Sequence, residues 1–335
     1  MRFTKIILVF FCLLAMHLLA GGQEVKHPFV PTLTTSSLVS ASYNGEKVNN
    51  FNLSTMEAEW KDNGRKGFTG QISFDMVVKH LMGLYAGYRF APELLVKVGQ
   101  QKMFFFHEIT TSPRTLEASG YSMGMNYLGG YLYDLCGLNS RSRDWGISAS
   151  GNLFRREDGT GRITYYLGLY QGNGYSLKDN DNAKNVTGLF LVNPWKPLTL
   201  SVGGLWGKYT LAGEEESRTA ARNRLSGSIY YDDGKFFFKS ESVYGKTDAQ
   251  ESWGVFALTG CWFRPDMALA LRADHFRSDI SLKDSAVTKL DLCFSHVVSR
   301  VFRYRLQYSR TFFADKQTNT VSMGVSMRFS TSSAH

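Results

Sequence analysis

The chain has 335 residues, 38 Lys and Arg against 29 Asp and Glu, and a formal net charge of +9. Its 32 Gly, 24 Phe and 17 Tyr against only 7 Pro argue against two soluble α/β domains joined by a Pro- or Ser-rich linker. The basic balance favours anionic partners, and Cys136, Cys261 and Cys293, an odd and widely spaced set beyond the N-terminal Cys12, suggest neither a disulfide framework nor a CxxC-type metal site.

The N-terminus sets the compartment. Met1-Arg2-Phe3-Thr4-Lys5 is a short basic start, followed by an apolar run from Ile6 to Ala20 broken only by Cys12 and His17, and then by Gly21-Gly22. This order predicts a secretory signal peptide over residues 1–22, cut near Ala20 or Gly22. A run of about 15 apolar residues is short for a membrane-spanning helix. Removal takes away Arg2 and Lys5 and no acid, which leaves a charge of +7. Export makes nucleic acid a poor partner. No later stretch is apolar and long enough to cross a membrane as a helix, so any crossing has to be made by strands.

After residue 36 the pattern alternates with period two. Phe68, Gly70, Ile72, Phe74, Met76 and Val78 share one phase, and Thr69, Gln71, Ser73, Asp75 and Lys79 the other. The same alternation recurs from Trp145 to Leu153, from Leu198 to Trp206, from Met267 to Ala273, from Phe302 to Tyr308 and from Val321 to Phe329. It predicts strands with one apolar and one polar face. They fall near 37–44, 51–61, 67–78, 82–90, 94–101, 144–154, 162–170, 186–193, 198–208, 223–232, 235–245, 252–263, 267–277, 286–298, 300–312 and 320–329.

A soluble antiparallel sandwich would alternate in the same way. Two features favour a membrane barrel. Short joins fall at Asp62–Lys66, Ala91–Glu93, Asn193–Pro197, Asp232–Gly234, Arg264–Asp266 and Ser299-Arg300, with longer ones mostly between them, including 102–143, 171–185 and 209–222. Short turns at one end and long loops at the other is the layout of outer-membrane barrels. Trp60, Trp145, Trp195, Trp206, Trp253 and Trp262 cluster near strand ends, where amphipathic rings sit at headgroup level. The expectation is an all-β fold: a 16-stranded antiparallel transmembrane β-barrel over about residues 37–329, within a mature part of 23–335, in the outer membrane of a Gram-negative bacterium. The polar tail Ser330–His335 departs from the usual aromatic ending.

From Val98-Gly99-Gln100-Gln101-Lys102 onward the chain resembles the phosphate-selective porin O and P family. The likeness runs through Phe106-His107-Glu108, Ser112-Pro113 and Leu116-Glu117. It continues at Arg143-Asp144-Trp145-Gly146-Ile147, Gly151-Asn152-Leu153-Phe154, Tyr165-Tyr166-Leu167-Gly168 and Tyr170-Gln171-Gly172-Asn173-Gly174. It covers about residues 51–190. The resemblance implies a homotrimer of barrels that passes anions, with a long third loop folded into the lumen to narrow it. Residues 102–143, the longest connection, fit that role: Met103–Phe106 and the Tyr121–Leu138 stretch are too apolar for a disordered tail. A loop that covers the barrel mouth is the alternative.

Strand phases place Lys79, Arg89, Lys97, Lys239, Arg272, Lys289, Arg303, Arg305 and Arg328 on the polar face, with Asp75, Glu241, Asp274 and Asp291. Lys102, Arg114, Arg141 and Arg143 add charge at the ends of the long connection. The candidate selectivity residues are therefore Lys97, Lys102, Arg114, Arg141, Arg143, Arg272, Arg303, Arg305 and Arg328, because charge rings in a lumen set which ions pass. Arginine also suits phosphate, whose oxygens match its planar fork.

Catalysis has little support. A hydrolase needs a Ser–His pair with an orienting partner, and only His107, beside Glu108, is placed to act. No cofactor or metal site is expected. The function read from the sequence is a passive channel for small hydrophilic, anion-leaning solutes. A barrel with a plugged pore and a soluble periplasmic β-sandwich are the rivals.

Overall fold

The computed structural model describes residues 32–43, 48–61, 67–77, 79–138, 140–174, 182–211 and 218–330, with side chains at Tyr43 and from residue 67 onward except at Leu211, Arg218 and Ser330. The signal peptide expected over 1–22, the Asp62–Lys66 turn and the polar tail after residue 330 lie outside these residues, as does the side chain of Trp60. Fourteen strands carry described side chains. The first half comprises β3 (Gly67–Asp75), β4 (His80–Ala91), β5 (Leu94–Lys102), β6 (Arg143–Arg155), β7 (Gly161–Tyr170), β8 (Asn185–Val192) and β9 (Leu198–Leu211). The second comprises β10 (Arg218–Asp232), β11 (Phe236–Thr247), β12 (Gln250–Arg264), β13 (Met267–Arg277), β14 (Ala286–Val297), β15 (Phe302–Phe312) and β16 (Gln317–Ser330). They form one antiparallel sheet in chain order.

Two N-terminal strands, β1 (Thr32–Tyr43) and β2 (Val48–Lys61), pair with each other. β1 also pairs with β16 over ten positions, from Thr34 opposite Ser330 to Tyr43 opposite Val321. β2 meets β3 over five positions only, from Glu57 opposite Asp75 to Lys61 opposite Gln71.

Period-two alternation turns one set of side chains to each face, and the structure exposes the apolar set. Phe68, Val98, Ile147, Val202, Leu271 and Val321 are all exposed, while Asp75, Arg222, Arg224, Glu241, Arg272, Asp274, Asp291 and Arg305 are buried. Such an inversion would be costly in water. It is what lipid on the outside requires. The two strand histidines on the apolar phase are accommodated by neighbours: His275 Nδ1 meets Thr288 Oγ1 at 2.8 Å, and His296 bridges Tyr304 and Asp266 at 3.0 Å each.

Joins at one end are tight, for example Pro92-Glu93 and Pro265-Asp266. At Asp233-Gly234-Lys235 the Asp233 carboxylate accepts from the Lys235 and Phe236 amides at 2.9 and 2.7 Å. Gly234 there takes a φ of +87° that other residues resist. The other end is less uniform than the sequence predicts: β11 and β12 are joined by Asp248-Ala249 alone, whereas residues 103–142 lie between β5 and β6. No helix among the described residues is long and apolar enough to cross a membrane.

Candidate functional site

The 103–142 connection lies against the polar face of the sheet. It contains a short 3-10 turn (Glu108–Thr110) and a helix α1 (Met123–Tyr127), whose Ser122 Oγ accepts from the Met125 amide at 3.2 Å. Met103, Phe105, Phe106, Ile109, Met125 and Leu128 are fully buried against Tyr170, Leu205, Val243 and Phe276 of the wall. Glycine permits the approach at Gly203, where a Cβ would stand 2.5 Å from the Phe105 carbonyl oxygen. At the neck, Arg141 and Ser142 adopt left-handed backbone conformations, with φ of +46° and +56°, and the Met103 amide donates to Ser142 O at 2.9 Å.

Charged wall residues grip the backbone of this connection. Glu241 accepts from the His107 and Glu108 amides at 2.7 and 2.9 Å, and Asp274 accepts from Met123 at 2.8 Å. Arg224 donates to Leu128 O at 3.1 Å, and Arg272 to Gly120 O at 2.9 Å. Arg305 donates to Leu116 O at 2.8 Å and also to Arg114 O. Asp134 sits between Arg222 and Arg224, at 2.5 and 3.2 Å. Burial alone would push its carboxyl up, but the two guanidiniums hold it below its ordinary value.

Glu108 behaves in the opposite way. It is pushed up to about 8 by burial, with the Glu241 carboxylate adding to the rise, although Ser122 Oγ donates to it at 2.6 Å and the Arg272 charge acts the other way. His107 Nδ1 meets Ser228 Oγ at 2.7 Å under the Tyr230 ring, and burial followed by the charge of Lys239 lowers its pKa to about 3. This Ser–His pair is buried in the wall contact and does not line the cavity described next. Cys136, Cys261 and Cys293 are free, and burial pushes the Cys136 thiol up to about 12. Among the described residues no group of three His, Cys, Asp or Glu is placed to hold a metal.

Beside the connection lies a cavity of about 590 Å³. Its lining carries Lys97, Lys102, Arg114, Arg143, Arg300, Arg303 and Arg328, and no acid among the described residues. It reaches the short-turn end of the sheet at Ser299 and Arg300. Lys97 Nζ stands 4.6 Å from the Tyr85 ring centre, Lys102 donates to Ile109 O at 3.3 Å, and Arg303 donates to Thr115 O at 2.8 Å. A second recess of about 330 Å³, at the end of β11, includes Asp248 and no cation among the described residues.

Six of the nine sequence-selected cations therefore meet in one cavity. The other three do not join them. Arg141 pairs with Asp75 at 2.6 Å, Arg272 pairs with Asp291 at 2.7 Å, and Arg305 is committed to backbone carbonyls. Sequence reasoning missed Arg300, which it treated as a turn residue. It also missed Arg222 and Arg224, although Arg222, Arg224, Ser226 and Ser228 alternate in plain view.

No protein-family model matches the chain, and no curated protein sequence does. Solved structures do match in fold. The chain is similar to OmpT, an outer membrane protein of Vibrio cholerae, in its trimer form, with a TM-score of 0.66 and 10% identity over 90% of this chain and 99% of that one. It is similar to Salmonella typhi OmpF in complex with daunomycin, with a TM-score of 0.64 and 9% identity over 89% and 97%. The anion-selective porin from Comamonas acidovorans matches at 0.61 and 11% over 90% and 99%. The fold is thus that of outer-membrane β-barrel porins. At such identities the likeness is one of fold.

Proposed function

We propose that the protein is an outer-membrane porin of a Gram-negative bacterium, a passive channel for small hydrophilic solutes that favours anions. In this reading the sheet is a sixteen-stranded cylinder closed in lipid, with residues 103–142 inside it as the constriction. Three copies associate, and residues 1–22 are removed on export. The observation that carries the reading is the cavity with seven cations and no acid among the described residues. Charge of one sign lining a narrow wet passage selects the opposite ion, and its arginines suit oxyanions such as phosphate. The exposed apolar face supports the lipid setting.

The dry core between the connection and the wall favours a second reading, a structural barrel whose lumen is plugged. Planar-bilayer recording in a KCl gradient separates the two. Ohmic steps whose reversal potential is displaced toward that of chloride support the porin. Absence of conductance steps establishes the plugged barrel, and reversal on the potassium side rejects anion preference. Recovery of the protein without detergent in the periplasmic fraction would reject both.

A further inference from the structure

We propose that the cationic cavity binds organic anions carrying a flat apolar ring, the aromatic carboxylates, more tightly than small anions of equal charge. The inference rests on the porin reading only for how such a solute arrives.

Water and inorganic anions need polar walls. Gln71, Gln101 and Ser326 supply them here, together with the cations, yet the same wall carries Tyr85, Phe104, Pro113 and Tyr131. Two of these rings are only half-buried and are held in place by other rings. Phe104 stacks on Tyr166, with centres 4.5 Å apart and planes 29° apart. Tyr131 meets Tyr121 edge-on, at 4.5 Å and 75°. Aromatic faces left on a wet passage gain by stacking against a flat partner. Tyr85 is 7% exposed and holds the Lys97 ammonium over its ring, which ties the charged and the apolar halves of the wall together.

A chloride or acetate ion engages the cations alone. An aromatic carboxylate engages them through its carboxylate, for which the Arg114 and Arg143 guanidiniums offer bidentate geometry, and sets its ring against Phe104 or Tyr131. Both kinds of contact lie on one lining.

The test uses full-length protein extracted in detergent and equilibrium dialysis of labelled benzoate, with acetate and phosphate as competitors. Benzoate is expected to bind saturably, and acetate to displace it only at about tenfold higher concentration, the scale of one or two ring contacts. Phe104→Ser and Tyr131→Ser should each lower that ratio severalfold, and Phe104→Tyr, which keeps a ring, should hold it. Heat-modifiable gel mobility confirms that each variant is folded. Equal competition by acetate and benzoate overturns the proposal, as does a ratio that both serine variants leave unchanged. Bilayer recording distinguishes the two readings. Anion conduction without benzoate preference sinks this inference and leaves the porin, whereas benzoate preference without conduction does the reverse.

Discussion

Arginines on the polar face of this sheet and around the cavity beside it fall into two groups with different employment. Along β10, β13 and β15, Arg222, Arg224, Arg272 and Arg305 are almost fully buried, and each ends on a carboxylate or on a backbone carbonyl of residues 103–142. Around the cavity, Arg114, Arg143, Arg300, Arg303 and Arg328 share the lining with two lysines, and no acid lines it among the described residues. In the proposed channel the first group shapes the interior, and the second sets its potential. A count of charges on the polar phase cannot tell them apart, because position on a face says nothing about what the neighbouring segment offers.

The sharpest way to break this division is to disturb the first group. Asp134→Leu leaves Arg222 and Arg224 buried with no carboxylate between them. Removing one member of a buried ion network costs about 3–5 kcal/mol, here expected as a fall in the temperature at which the folded band is lost on gels. Single-channel current should also become larger and noisier as the connection loosens. An unchanged midpoint would mean that Asp134 and its arginines do not hold the connection in place.

Next in size is a dependence on pH. Glu108 has its folded pKa raised from 4.5 to about 8, so the stability linked to its neutral form is complete below pH 4.5. That stability is lost as pH rises toward 8, by at most about 1.4 kcal/mol per unit. His107 has its folded pKa lowered from 6.5 to about 3, so its contribution is complete above 6.5 and lost as pH falls. The two slopes oppose one another between 4.5 and 6.5, where the thermal midpoint should be broad and highest. Glu108→Gln should flatten the alkaline limb and leave the acid limb. A wild-type alkaline limb that survives the substitution would assign it to another group.

The second group is probed by reversing charge. Lys97→Glu, Arg143→Glu and Arg328→Glu together should move the anion-to-cation permeability ratio by roughly tenfold or more toward cations, the scale of one half-screened charge interaction. The thermal midpoint should change little. Arg305→Glu should do the opposite, destabilising the fold through its lost Leu116 and Arg114 contacts while moving selectivity less. If Arg305→Glu matched the triple variant in selectivity at full stability, the two groups would be one.

How far the sequence could foresee this depends on what fixes each residue. The edges of β13 are the same in both readings, and β6, β7 and β8 shift by a residue, because alternation and flanking turns are local signals. β3 stops at Asp75 instead of running to residue 78, since the Val77 amide turns to the Asp75 carboxylate at 2.9 Å. Lys97 and Arg328 were legible from phase, and Lys102 and Arg143 from their place at the ends of the long connection. The hold of Arg272 and Arg305 on the long connection was not legible, because the carbonyls they reach lie more than 150 residues away in the chain at Gly120, and more than 180 away at Leu116. Asp134 and Glu117, which closes on Lys239 at 2.7 Å, left no periodic trace at all. Contacts made by an irregular segment obey no repeat.

The smallest expected effect marks the outer boundary of the second group. Asp158, on the turn between β6 and β7, meets Lys196 of the next short turn at 2.8 Å. Hydrogen bonds from Lys196 and then Thr160 hold its carboxyl below its ordinary value. A lowered folded pKa stabilises above the unfolded value of 3.8 and is lost only as pH falls below it. The side chain of Lys196 is 73% exposed, so water and salt screen the pair. Asp158→Asn should therefore leave both the thermal midpoint and the reversal potential at pH 7 unchanged. The rim carries this acid at the end of the sheet where Arg300 lines the cavity, so the result is informative in either direction. A shift toward anions on removing the Asp158 charge would show that permeating ions sense the whole rim, and that the selective region extends beyond the side chains gathered around the cavity.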